Sequence, residues 1–468
     1  MKSQLVLSLR ADVPPMELPD GSLAFRASEG GPLVLRKPSP GMADVFARLR
    51  AEGATESALA ALAITKDGPA GIMLFQQYAQ RLVDYGLLCH TLTLDGEPLA
   101  TITPVARHYR FRPDLARPEA QYVLSHFAYS HNMQNQMVLE SPLGYARIIL
   151  HDSRAAGLLA KLAQPQSCAD LTDLVPEDVA TMFVTFLLNA EALTTVDKEG
   201  NTGEEINPTL GQWDFHDMLF HMRSRLGRHN NPYGGTYRSR DKFDPLPLVK
   251  PHMPGEVIPL YKPDLEQLKA HDVPFTAVME QRKSIREYGE KPLTVDQLGE
   301  FLYRTARFKF VIPVPPGEQE VGLRPYPGGG AIHELEIYPI VDQCEGLAAG
   351  VYHYNALEHS LSRLDAPPEM MNILLNLAWI TADRKSKPQV YFGITARFQR
   401  LQWKYESIVY ALILKNVGIL FQTMYLVATA MGLAPCALGG GNSELFKNTV
   451  GLDPYAESLV GEFVLGSQ

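Results

Sequence analysis

The chain has 468 residues, 46% of them hydrophobic and 20% charged, which excludes a disordered chain and leaves room for about three domains of roughly 150 residues each. A formal charge of -9 argues against a general binder of nucleic-acid backbones, which needs a basic footprint. Cys89, Cys168, Cys344 and Cys436 form no CxxC pair, so neither a disulfide framework nor a zinc knuckle is expected, and the usage fits a cytoplasmic protein.

Residues 1–105 open with three strand-like stretches, LVLSL, SLAFRA and PLVLRKP. GMADVFARLR and IMLFQQYAQRLVDY then space their apolar residues as helices. LLCHTLTL reads as a strand, and Asp95-Gly96 as a hairpin turn. Strands, helices, then a hairpin is the order of a winged-helix module. Residues 106–205 repeat the theme: YVLSHFAYSH and MVLESP as strands, RAAGLLAKLA and VATMFVTFLLNAEAL as helices, LTTVDKEGN as a closing hairpin. One larger α+β domain is the alternative to two modules.

Residues 206–273 hold a helix, TLGQWDFHDMLFHMRSRLGRHN, followed by a proline-rich linker or arm. His216 and His221 stand i, i+5, a poor spacing for two ligands on one helical face, so no metal is expected. Residues 274–468 read as one α/β domain: the helix PFTAVMEQR, a capping box from Thr294 to Gln297, the strands HELEIYPIV, GVYHY and PQVYFGIT, a long apolar helix from KYESIVY onward, and a last strand ESLVGEFVLG. From Asn416 to Ser443 there is no charge, a length that can span a bilayer. Gln422, Thr423, Pro435 and a glycine run interrupt it, so it reads as a buried helix running into a glycine loop, with no membrane contact.

Four places carry polar chemistry. In an extended Arg282-Lys283-Ser284-Ile285-Arg286, residues two apart face one way, and two guanidiniums plus a hydroxyl suit a phosphate; a solvated basic turn is the plain alternative. Pro327-Gly328-Gly329-Gly330-Ala331 and Ala437-Leu438-Gly439-Gly440-Gly441 let backbone approach a flat ligand, though neither is a dinucleotide fingerprint. Lys404-Tyr405, placed at the start of the long helix, can exchange protons; a lysine acts as a base near neutrality only when desolvated or beside other cations.

Taken in order, these segments resemble the flavin-dependent nitroreductase superfamily. RPYPGGGAIHELEIY, GLAAGVYHYNALEHSLSRL and NVGILFQTMYLVATAMGLAPCALGG look like its peptide-modifying branch, the azoline oxidases, and the two N-terminal modules resemble the peptide clamps of the cyanobactin oxidases. The resemblance implies an α/β (α+β) chain with four parts: clamp modules at 1–105 and 106–205, a helix and linker at 206–273, and an FMN-binding oxidase domain at 274–468. It implies a homodimer with one FMN at each subunit interface. Arg282, Ser284 and Arg286 match positions that hold the FMN phosphate, ribityl chain and N1/O2 edge. Pro327, Gly328 and Gly329 match a loop that meets the flavin, commonly from the partner chain, although Gly328 stands where many relatives carry serine. Leu438, Gly439 and Gly440 match backbone beside flavin O4/N5, and Lys404 and Tyr405 match the catalytic pair. His333 is a second candidate base.

The function so implied is FMN-dependent oxidation of thiazolines or oxazolines to thiazoles or oxazoles in ribosomally made, post-translationally modified peptides such as cyanobactins, with dioxygen as acceptor. The N-terminal modules would capture a leader peptide or brace the dimer; neither carries a strongly basic helix, so nucleic acid is not expected. The rivals are an NAD(P)H-dependent nitro or quinone reductase and a non-catalytic flavin-binding scaffold.

Overall fold

The computed structural model describes residues 2–26 and 31–468. Ala27, the end of the SLAFRA strand, and Met1 lie outside the described residues. The chain forms two compact units, Met1–Asn231 and Pro232–Gln468.

In the first unit β1 (Ser3–Leu9) is followed by three short strands, β2 (Met16–Glu17), β3 (Leu23–Phe25) and β4 (Leu33–Leu35). Three helices follow, α1 (Pro40–Ala51), α2 (Glu56–Asp67) and α3 (Ala70–Asp84). The Ser39 side chain accepts from Met42 N and Pro40 stands in the first turn of α1, two helix-start signals at once. β5 (Leu88–Leu94) and β6 (Glu97–Pro104) form the expected hairpin. Asp95 and Gly96 turn it with φ of 54° and 90°, as a tight two-residue loop requires. The second half adds β7 (Gln121–Leu124), β8 (Tyr129–Met133), β9 (Gln136–Glu140), β10 (Ala146–Leu150), α4 (Ser153–Lys161), α5 (Glu177–Asn189), β11 (Leu193–Val196) and α6 (Phe215–Arg223).

Each half has its own core. Phe25, Leu35, Val45, Phe46 and Phe75 fill the first, and Ile148, Leu158, Phe183, Val184 and Phe186 the second. Yet strands of both halves share one antiparallel sheet, in the order β1-β5-β6-β10-β9-β8. The hairpin expected at LTTVDKEGN is reduced to a single bridge, Val196 with Thr202. β11 pairs instead with β7, because its apolar partner lies there and not across the charged turn.

In the second unit the proline-rich stretch supplies β12 (Gly234–Gly235) and β13 (Val257–Pro259), followed by α7 (Leu265–His271), α8 (Phe275–Gln281) and α9 (Val295–Ala306). Then come β14 (Phe310–Ile312), β15 (Val321–Leu323), β16 (Leu335–Val341), β17 (Gly350–Asn355), β18 (Ser360–Leu364), α10 (Pro368–Thr381), β19 (Val390–Arg397), α11 (Phe398–Gln402), β20 (Tyr405–Glu406), α12 (Val409–Ala430), β21 (Leu433–Leu438), α13 (Ser443–Val450) and β22 (Glu457–Ser467). A seven-stranded sheet runs β13-β18-β17-β16-β19-β22-β21. Every residue of β16 and β19 is buried, so both faces of the sheet are covered. Ile337, Phe392 and Ile394 face α9 and α12; Tyr338, Tyr391 and Val464 face α10 and α13. That alternation is the two-residue period of a strand.

Two placements differ from the sequence expectation. The long helix is unbroken over its 22 residues, but it starts only at Val409, so Lys404 and Tyr405 lie ahead of it, Tyr405 in β20. The glycine loop does not leave that helix directly. Gly432, with φ of 64°, ends the helical run and β21 intervenes before Gly439. Apolar residues run through both elements, so hydropathy alone conceals the change of backbone. α12 is long and apolar enough to cross a membrane; here Ile413, Asn416, Leu420, Met424 and Ala428 form its buried stripe in the core.

Candidate functional site

The sequence-marked residues fall into two groups within the second unit. The first begins where α8 ends. Arg282 leaves the helix with φ -55° and ψ 123°, and the following segment is pinned by Ile285 N donating to the Pro435 carbonyl at 2.9 Å. Arg282 lies over the Tyr425 ring, 5.2 Å from its centroid. Ser284 Oγ meets Tyr425 Oη at 2.7 Å, and Ala437 N donates to the same oxygen at 2.8 Å. One tyrosine of α12 therefore ties the Arg-x-Ser segment to the strand that leads into Leu438-Gly439-Gly440. Arg286 has its Nε buried without a hydrogen bond, 3.5 Å from Asp383. Ser386 N donates to the Arg286 carbonyl at 3.1 Å, which brings the basic turn Arg384-Lys385-Ser386-Lys387 alongside.

Beside Leu438–Gly441 lies a cavity of about 400 Å³, lined also by Tyr410, Leu414, Val417 and Phe421. A Cβ added to Gly439 or Gly440 would meet nothing within 4 Å, so this loop presents bare backbone to open space. An open glycine loop beside a cavity fits a flat ligand, and the Arg282 guanidinium, joined to the loop's strand through Tyr425, suits an anionic tail outside the cavity lining.

The second group is centred on Lys404 and Tyr405. β20 pairs with β12, and Tyr237 N donates to the Lys404 carbonyl at 3.1 Å. The proline-rich arm thus holds the pair in place. Lys404 Nζ lies 5.2 Å from the Tyr405 ring centroid and 5.6 Å from that of Tyr237. Gly330 packs against both: a Cβ there would lie 2.7 Å from Tyr405 Oη and 3.4 Å from Lys404 Nζ. Pro327, Gly328 and Gly329 lead into this turn, in which Gly330, Ala331 and His333 have φ of 67°, 57° and 51°. Non-glycine residues in that region are uncommon and mark a turn held by its surroundings.

Hydrogen bonds to Asn416 and Arg400 hold it. Gly329 N donates to Asn416 Oδ1 at 3.2 Å, and Asn416 Nδ2 donates to Glu334 Oε1 at 2.8 Å. The fully buried Arg400 donates to the carbonyls of Leu246 at 2.5 Å and Glu320 at 2.8 Å, and to that of Ile332. The His333 ring occupies the space where a Gly328 side chain would project, its Nδ1 3.1 Å from the added Cβ. Gly328, lacking a side chain, thus leaves room for the imidazole. Burial, with Arg324 beside it, pushes His333 down to about 3. A ring that weakly basic is a poor proton acceptor, which counts against it as the base.

Tyr425, Asn416, Glu334 and the turn 384–387 join the two groups without having been singled out from the sequence. Tyr425 and Asn416 sit in an apolar run that hides them, whereas Arg384-Lys385-Ser386-Lys387 is a visible basic cluster between helix and strand.

The two groups lie toward opposite ends of α12. Asn416 binds Gly329 N, Leu412 stands where a Gly329 side chain would project, and Tyr425 meets Ser284, so nine to thirteen helical residues, about 14–20 Å, separate the two contacts. Between them α12 exposes Leu414 and Ile419, by 41% and 36%.

Residues 1–113 match the ThcOx helix turn helix domain, residues 122–230 the cyanobactin oxidase ThcOx, and residues 279–467 the nitroreductase family. MJ1384 of Methanocaldococcus jannaschii, a provisionally assigned nitroreductase, is 29% identical over 40% of this chain and 85% of its own length. The trifolitoxin-processing protein TfxB of Rhizobium leguminosarum bv. trifolii is 25% identical over 68% of this chain and 88% of its own. The microcin B17-processing protein McbC of Escherichia coli is 28% identical over 28% of this chain and 49% of its own.

Proposed function

From a chain whose residues 279–467 match the nitroreductase family, with matches to ThcOx domains ahead of them, we propose an FMN-dependent oxidase that converts thiazolines or oxazolines to azoles in ribosomally made peptides. The observation that carries this reading is the Lys404–Tyr405 pair packed against Gly330, a proton-handling group built into a turn of strained backbone. The peptide-processing names of TfxB and McbC support the substrate class.

Arg282, Ser284 and Arg286 would hold the phosphate, ribityl chain and N1/O2 edge, with Arg384 and Lys387 adding charge. Leu438, Gly439 and Gly440 would offer backbone to the ring. Bound FMN supplies the acceptor for a hydride equivalent. The chain's own task is the proton: Lys404 Nζ, with Tyr405 Oη beside it, takes it from the azoline Cα. Proton and hydride together are the two hydrogens that separate azoline from azole. Dioxygen is the proposed final acceptor.

The arginine segment and the glycine turn beside Lys404 contact stretches of α12 about 14–20 Å apart, and the cavity beside Gly439 runs along the helix from Tyr410 to Phe421. A two-fold axis beside the exposed stripe Leu414-Gly418-Gln422 of α12 would lay two such helices against each other and bring the Lys-Tyr group of one subunit to the arginine group of the other. The proposed enzyme is therefore a homodimer with composite sites. The N-terminal modules would add a leader peptide as a strand; β8 is one edge of their sheet.

The test is aerobic incubation of the FMN-loaded protein with a thiazoline-containing peptide, followed by mass spectrometry. The expected product has lost two hydrogens. An unchanged peptide alongside rapid NAD(P)H-driven quinone reduction would point to a small-molecule reductase instead.

A further inference from the structure

One acid in the second unit is used by nothing described so far. Glu462 lies in β22, paired with Leu438 of β21 on one side and Gly393 of β19 on the other. Its carboxyl is buried, and Tyr391 Oη donates to Oε1 at 2.9 Å. It presses directly on the glycine loop. A Cβ on Gly441 would come within 2.0 Å of Oε1 and 3.1 Å of Oε2, so any larger residue there would push this carboxyl aside.

Glu462 is also a shared wall. It lines the cavity of about 400 Å³ beside Leu438–Gly441. It lines a second cavity of about 230 Å³, on the side of α10, with Leu374, Leu377, Ala378, Thr381, Tyr391 and Gly440. No charged residue lines either cavity apart from Glu462 itself; Tyr391 and Tyr410 are the other ionisable groups. On α13, Glu444 and Lys447 pair with each other at 2.7 Å. On β21 the Cys436 thiol donates to the Ala437 carbonyl. On β22 itself, Glu457 pairs with Lys250 at 2.6 Å. Among the described residues a charge on Glu462 therefore has no counter-ion.

We propose that Glu462 makes cofactor affinity depend on its protonation state, completing the cavity wall as a neutral acid and weakening an anionic occupant as a carboxylate. The inference rests on the FMN reading above. A ligand with an anionic phosphate and electron-rich ring carbonyls binds less well when its cavity wall gains an uncompensated negative charge. Burial raises this carboxyl to about 7, with only the Tyr391 hydrogen bond opposing, so the change falls near neutral pH. By linkage, FMN binding favours the protonated acid.

The test is fluorescence titration of the full-length, flavin-free protein with FMN from pH 5.5 to 8.5, for wild type, E462Q and Y391F. The FMN phosphate itself titrates near 6 in all three proteins, so the comparison between proteins isolates Glu462. Wild-type affinity should fall about tenfold more than that of E462Q across the range, the equivalent of one pKa unit of coupling. Y391F should keep the fall but move its midpoint upward, since the hydrogen bond that favours the carboxylate is gone. Parallel wild-type and E462Q profiles, with FMN bound tightly by both, would overturn the proposal while leaving the FMN reading intact. Absence of FMN binding at every pH would instead remove the FMN reading and this inference with it. Should E462Q not fold, a wild-type profile following the phosphate alone, with Y391F identical to it, is the overturning result.

Discussion

The second unit contains two runs of three glycines, and they are glycine for different reasons. Gly328–Gly330 is packed against the protein's own side chains: His333 stands beneath Gly328, and Tyr405 and Lys404 beside Gly330. Gly439–Gly440 faces open space, and only Gly441 is pressed, by Glu462. The first run is a turn over machinery, and the second is a bare edge beside a cavity. Identical composition therefore serves opposite ends, in the proposed enzyme catalysis at one and binding at the other.

That contrast breaks first at the Lys-Tyr pair. K404A and Y405F should each lower azole formation by about 10²–10⁴, the usual scale for a general acid or base, while bound flavin measured by absorbance stays at the wild-type level. Loss of flavin in either variant would mean that the two groups are not separable.

Arg400 is the anchor beneath the first run. R400M leaves its buried carbonyls without donors, and at roughly 1–3 kcal/mol for each unsatisfied group the second unit should lose about 3 kcal/mol or more in denaturant titration. G330A should cost about 1–3 kcal/mol, because φ is 67° and the new Cβ meets Tyr405. G439A should stay within ~0.5 kcal/mol of wild type, and its effect should appear in FMN affinity.

A titratable group lies beneath each run, and the two shift in opposite directions. His333 is lowered from 6.5 to about 3, so it contributes stability that is present above 6.5 and lost as pH falls toward 3. Glu462 is raised from 4.5 to about 7, so its contribution is present below 4.5 and lost as pH rises to 7. The stability difference between E462Q and wild type should therefore rise by ~1.4 kcal/mol per pH unit from 4.5 to 7. For H333Q it should fall by ~1.4 kcal/mol per pH unit from 3 to 6.5. Denaturation at a series of pH values checks both signs.

What the sequence yields follows from what local pattern encodes. β16, β19 and β22 stand out as β-rich apolar runs, and the capping box at Thr294 is present in full. β21 is hidden because LAPCAL continues the apolar character of α12. α10, PEMMNILLNLAWIT, carries few polar residues to mark a period. The i, i+2 argument brings Arg282 and Ser284 together, since both meet Tyr425, but Tyr425 itself depends on a long-range packing choice. Glu462 left a usable signal, a lone acid in the apolar strand LVGEFVLG, which reads as a buried charge needing a purpose.

The central claim is that one oxidising site is assembled from the arginine group of one subunit and the Lys-Tyr group of another. Its most direct test is co-expression of K404A with the double variant R282A and R286A, each inactive alone, assayed on a thiazoline peptide by mass spectrometry. Random pairing gives half mixed dimers, each with one intact site, so dehydrogenation should return to about a quarter of the wild-type rate. Activity no greater than that of either variant alone, in dimers shown to contain both chains, would contradict the account.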